Sequence, residues 1–144
     1  MTAPAPCLPF EMVIPSDLGE ARRVQAEIEQ ALHAVQFLEH DIFAIKLALE
    51  EALVNAIKHG NQMDRAKLVR VAYHVTADRF EVQITDEGPG FDPSDVPDPT
   101  APENLERPCG RGLLLMRHYM TEVAYHDRGR AVRMAKVRRN GAKE

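Results

Sequence analysis

Three side chains that could do chemistry together stand four residues apart: the carboxylate of Glu51, the amide of Asn55 and the imidazole of His59. On a helix turning about 100° per residue, Asn55 falls about 40° and His59 about 80° round from Glu51, so all three share one flank. Such a flank could be a polar site beside the packed face of the helix. It could also be a solvated helix face. Further along, Asp86 is followed by Gly88 and Gly90. A carboxylate held at a strand end can accept from an exocyclic amine, as adenine recognition requires, and glycines let a flat ring approach the backbone closely. An ordinary Asp-Gly turn has the same residues. Last, Gly110-Arg111-Gly112 precedes an apolar run opening at Leu113. Gly-x-Gly at a helix start leaves backbone N–H groups free for an anion, with the helix dipole behind them. A flexible hinge feeding a helix reads alike.

These residues need elements to place them. Leu18, Ala21, Val24, Ile28, Ala31, Leu32 and Val35 recur at helical spacing, which predicts a helix over about 17–36, with Ser16 or Asp17 as its N-cap. After a break near Glu39-His40-Asp41, a second helix is expected over about 41–59. Ile42, Ile45, Leu49, Ala52, Leu53 and Ala56 form its core stripe at roughly 100–200° from Glu51. Gly60 is a natural left-handed C′ residue, and Lys58 and His59 suit the negative end of the helix dipole.

Residues 10–14, ended by Pro15, have strand propensity. Residues 67–75 and 80–86 alternate apolar and polar around a turn at 76–79, as a half-buried hairpin does. Strands are expected again at about 122–126 and 131–138, around a turn at 127–130. A third helix is expected from Leu113 to about Met120. Between these parts, six of the ten prolines fall from Pro89 to Pro108, and no periodicity survives. That stretch, about 88–109, reads as a mobile lid. Residues 1–9 read as a disordered lead-in and 139–144 as a polar tail, leaving one domain over 10–138.

Composition narrows the function. A chain of 144 residues, 44% hydrophobic, can bury one sizeable core. A net charge of −4 gives no pull toward nucleic acid or an anionic membrane, despite the arginines between Arg128 and Arg139. Cys7 and Cys109 show neither metal spacing nor a disulfide framework. The first residues carry no basic-then-apolar leader, and no apolar run approaches a membrane span. The expectation is a cytoplasmic protein.

The order of motifs carries more than each alone. A Glu-x-x-x-Asn helix, a strand ending in Asp-x-Gly-x-Gly, a lid, and Gly-x-Gly before a helix together resemble the N, G1 and G2 boxes of the GHKL ATP-binding superfamily. The resemblance spans about residues 10–138. It implies an α/β chain with the Bergerat fold: a two-layer α+β sandwich, a mixed sheet with about three helices on one face, and a mobile ATP lid. It also implies ATP bound with Mg²⁺. Within the superfamily the chain looks most like the bacterial anti-sigma-factor serine/threonine kinases. Glu-Ala-x-x-Asn-Ala-x-x-His-Gly is similar to their N box, whereas histidine kinases usually have Asn where Glu51 stands. Only about 40 residues precede that helix, too few for a dimerising phosphoacceptor module, and His33 and His40 form no phosphoacceptor box.

The resemblance assigns roles. Glu51 would be the catalytic base, and Asn55 the Mg²⁺ ligand. Glu50 is chemically equivalent to Glu51, but spacing to Asn55 favours Glu51. Asp86 would take the adenine amine, with Gly88 and Gly90 shaping the turn beside it. Gly110, Arg111, Gly112 and Leu113 would meet the phosphates, Arg107 would lie near the γ-phosphate, and His59 would border the nucleotide. The partners implied are a sigma factor and a STAS-domain anti-sigma-factor antagonist, with a homodimer and no direct nucleic-acid or membrane contact. The alternatives are a non-catalytic ATP-binding regulator and a stand-alone histidine-kinase-like catalytic domain. Two departures stand out. Gly129-Arg130-Ala131 replaces the family's Gly-Thr, and Pro108-Cys109 adds one residue between Arg107 and Gly110.

Overall fold

The computed structural model describes residues 8–90 and 115–138. Strand β1 (Phe10–Pro15) leads into helix α1 (Leu18–Ala34). The cap is Asp17, whose Oδ1 accepts from the N–H groups of Gly19 (2.7 Å) and Glu20 (3.1 Å). Ser16, the other candidate, is buried and donates to the Lys67 carbonyl at 2.8 Å. The break between helices comes earlier than the sequence predicts. Helix α1 ends at Ala34, Gln36 turns left-handed (φ 61°), and α2 (Glu39–Val54) already includes the residues expected to form the break. Arg138 fixes this corner by donating to the carbonyls of Val35 and Gln36, both at 2.6 Å.

Helix α2 does not run on to His59 as an α-helix. From Asn55 to Gly60 the chain is π-helical, and the Asn61 N–H reaches back five residues to the Ala56 carbonyl at 2.8 Å. The left-handed stop is made by Gln62 (φ 54°) and Met63 (φ 61°), not by Gly60. Single π turns of this kind are rare and concentrate at functional sites.

Strands β2 (Leu68–Val75), β3 (Arg79–Thr85), β4 (Glu122–His126) and β5 (Ala131–Val137) complete one sheet in the order β1-β2-β3-β5-β4. Its four pairings are all antiparallel, where the resemblance implies a mixed sheet. Side chains alternate across it as a half-buried sheet requires. Val69, Val71, Tyr73, Phe80, Val82, Ile84, Val132 and Met134 point to the helices and are buried. The other face is polar: Arg79 and Arg133 both pair with Glu81, at 2.5 and 2.9 Å. The expected core stripe of α2 is buried in full, and Ile57 extends it into the π turn. Met116 and Met120 add to that core beside the helical residues 115–119.

Candidate functional site

The end of α2 and the exit of β3 meet, and the meeting depends on two missing side chains. A Cβ placed on Gly60 would stand 2.4 Å from both Cγ and Oδ2 of Asp86. A Cβ on Gly88 would stand 2.0 Å from the Gly60 carbonyl oxygen. No real Cβ fits at such distances. The Asp86 carboxylate is therefore seated on the π turn that begins at Asn55. The sequence separates Gly60 and Asp86 by two strands; the fold puts them in contact.

Asp86 follows the last residue of β3. Its Oδ1 accepts from the Gly88 N–H at 2.8 Å, and its own N–H donates to the Arg130 carbonyl at 2.9 Å. Burial pushes its pKa up, against the Gly88 N–H and the Arg130 charge, which pull it down. A carboxylate raised by desolvation and set beside a turn is suited to taking a hydrogen bond from a ligand.

The same turn is tied down from three further sides. Fully buried Asn61 accepts the Glu87 N–H at 2.8 Å and donates to Ser16 Oγ and the Leu68 carbonyl, both at 3.0 Å. The Glu87 carboxylate accepts the Leu68 N–H. Arg130 donates from Nε to the Gly88 carbonyl (2.8 Å) and from its Nη2 to the Pro89 carbonyl (3.1 Å). Sequence reasoning assigned no role to Asn61, Glu87 or Arg130. The one available signal was the departure at Gly129-Arg130-Ala131, and it marked a missing threonine rather than a new clamp.

Glu51 and Asn55 are both half-buried on the α2 stretch that ends in the seat of Asp86, while His59 is exposed. The Asn55 N–H bonds to the carbonyls of Glu51 and Ala52, so it is shared between an α-type and a 3₁₀-type bond where the π turn begins. The structure thus brings Gly60, Asp86 and Gly88 into contact, at the end of the helical stretch that carries Glu51 and Asn55. Arg107, Gly110, Arg111, Gly112 and Leu113 lie outside the described residues.

No group of three or more His, Cys, Asp or Glu able to hold a metal occurs among the described residues. A cation here would arrive with phosphates, which suits Mg²⁺. It keeps waters and substrate oxygens as ligands and needs few protein groups. The Asn55 amide oxygen fits that sparse donor set. Among the described residues no helix is long and apolar enough to cross a membrane.

Comparison with known proteins defines the class. The family model described as the histidine kinase-like ATPase domain matches residues 14–136, so the chain belongs to that family. Its relatives are narrower in kind. It is 26% identical over 134 residues to the serine-protein kinase RsbW of Bacillus cereus (strain Q1), covering 88% of this chain and 83% of the relative. It is 35% identical over 103 residues to the serine-protein kinase RsbW of Bacillus licheniformis, covering 67% and 64%. A solved structure of the RsbU and RsbW domains of a Mycobacterium tuberculosis protein shares the fold at a TM-score of 0.62 and 19% identity. That match covers 95% of this chain and 33% of the solved one, so this chain spans about a third of that protein. The GHKL resemblance read from the motifs holds, on the side of the anti-sigma-factor kinases.

Proposed function

We propose that the protein is an ATP-dependent serine/threonine kinase that acts as an anti-sigma switch. It would bind a sigma factor and phosphorylate a STAS-domain antagonist in the cytoplasm, as a homodimer. The observation that carries the reading is the seating of the half-buried Asp86 carboxylate on Gly60, at the end of the helical stretch that bears Glu51 and Asn55. The kinase names of the relatives support the class of reaction.

In this reading Asp86 accepts from the adenine amino group, and Gly88 and Gly90 keep the turn thin enough for the ring. Asn55 offers its amide oxygen to Mg²⁺, which when bound neutralises phosphate charge. Glu51, one turn before Asn55, would orient the acceptor hydroxyl and take its proton as the oxygen attacks the γ-phosphorus and the bond to the β–γ bridging oxygen breaks, releasing ADP. A carboxylate base suits a hydroxyl better than a histidine nitrogen, which needs no deprotonation to attack. Gly110, Arg111 and Gly112 would supply phosphate contacts, with Arg107, Leu113 and His59 around the nucleotide. Phosphoryl transfer asks for positioning and charge neutralisation rather than covalent catalysis.

The test is transfer of labelled phosphate from Mg-ATP to candidate STAS proteins, by the wild type and by Glu51→Gln. Acid-stable phosphoserine or phosphothreonine that falls at least about a hundredfold in the variant supports the kinase. Nucleotide binding without transfer to any candidate contradicts it in favour of a binding regulator. Acid-labile phosphohistidine contradicts it in favour of a two-component catalytic domain.

A further inference from the structure

We propose that Arg130 is a positioning residue for nucleotide recognition: its guanidinium clamps the Gly88-Pro89-Gly90 turn so that Asp86 stays aimed at the base. The inference rests on the reading of Asp86 as the adenine acceptor and adds a residue to it.

Arg130 grips two successive carbonyls, those of Gly88 at 2.8 Å and Pro89 at 3.1 Å. A planar guanidinium has donors in a fixed fork and can hold two acceptors at once, which an ammonium or a hydroxyl cannot do with the same geometry. The fork is itself braced. The Asp127 carbonyl accepts from Nη1 at 3.4 Å, and the Asp127 carboxylate lies 3.5 Å from the same nitrogen. The Arg130 backbone joins in, since its carbonyl accepts the Asp86 N–H at 2.9 Å. One residue therefore holds Asp86 by its main chain and the following turn by its side chain.

The β4–β5 turn is shaped to deliver this grip. Asp127 (φ 50°), Arg128 (φ 56°) and Gly129 (φ 81°) are left-handed in succession. Non-glycine residues adopt that region at a cost and persist there when the surroundings over-determine them. The surroundings here are the opposing turn. Gly90 is also left-handed (φ 79°), and a Cβ on it would stand 2.5 Å from the Arg128 carbonyl oxygen. The two turns touch backbone to backbone. A threonine at position 130, as the family resemblance leads one to expect, is too short to reach both carbonyls. The clamp is a feature of this chain's own arginine.

Calorimetry of ATP and GTP binding in the presence of Mg²⁺, on the full chain, tests the clamp. Wild type, Asp86→Asn, Arg130→Ala and Arg130→Lys are compared, each with its unfolding midpoint measured without nucleotide. The clamp predicts that Arg130→Ala weakens ATP about tenfold, the effect of losing a charge-assisted pair, and narrows the ATP-over-GTP preference. Arg130→Lys recovers less than half of that loss on a logarithmic scale while unfolding near the wild-type temperature. If Arg130→Ala does not fold, the same fall of ATP affinity and preference in Arg130→Lys supports the clamp, and wild-type values in Arg130→Lys overturn it. Wild-type ATP affinity in Arg130→Ala, with affinity lost in Asp86→Asn, overturns the clamp and leaves the nucleotide site standing. Equal weakening of ATP and GTP assigns Arg130 to fold stability and also overturns it. No loss in Asp86→Asn removes the site reading and the clamp together.

Discussion

Gly60 and Asp86 are in direct contact: the α-carbon of one is the floor on which the carboxylate of the other rests, leaving no room for a methyl group. Ordinarily an alanine in place of a helical glycine stabilises by about 0.5–1 kcal/mol. Here the sign reverses. Gly60 lies in the π turn without a positive φ, so alanine meets no backbone objection; the objection is the carboxylate at 2.4 Å. Gly60→Ala is expected to destabilise by about 1–3 kcal/mol, as overpacking does, and to weaken ATP by tenfold or more. Urea unfolding and calorimetry measure the two effects.

Asp86 also ties stability to pH. Its folded pKa is raised above the ordinary carboxylate value, chiefly by burial. The folded state therefore holds the proton more tightly than the unfolded chain. Stability from this group is complete below the unfolded pKa, near 3.8, and is lost as pH rises through the raised folded value. Asp86→Asn keeps an oxygen for the Gly88 N–H and removes the charge. It should unfold with the wild type in acid and at a higher temperature than the wild type near pH 7. A thermal series from pH 4 to 8 shows the gap opening, or shows parallel curves if burial at Asp86 costs nothing. A residue that destabilises the empty protein and serves a ligand is the pattern of a binding site.

Asn61 is a structural node on which the same turn depends. It is fully buried with three partners, in β1's exit, β2's start and the β3 exit. Asn61→Ala leaves the Glu87 N–H without its acceptor and the Leu68 carbonyl without that donor. A loss of about 1–3 kcal/mol is expected, since the bonds to Glu87 and Leu68 are part-buried and the one to Ser16 is buried. Denaturant unfolding measures it.

Much of this was legible in advance, for identifiable reasons. The periodicity of α1 and α2 and the alternation of β2 and β3 report burial directly, so the core stripe from Ile42 to Ala56 emerged as read. The turn at 127–130 and strand Glu122–His126 fell where expected. Boundaries moved where tertiary bonds overrule local preference. Arg138 holds the Val35–Gln36 corner from more than a hundred residues away. A glycine after a helix suggests a left-handed cap, but Gly60 is glycine because Asp86 needs its space, a reason spread over two elements. Arg130 was visible only as the lack of a threonine. What it grips is set by the contact between two turns, which no spacing encodes.

The proposed ATP site joins the exit of β3 to the π turn after α2, with Asp86 as the base acceptor. Calorimetric titration of the wild type and Asp86→Asn with Mg-ATP tests it most directly. Measurable binding to the wild type and a loss of about 1–3 kcal/mol in the variant are expected, the value of a charge-assisted hydrogen bond. Equal affinity in the two proteins, with both folded, would contradict it.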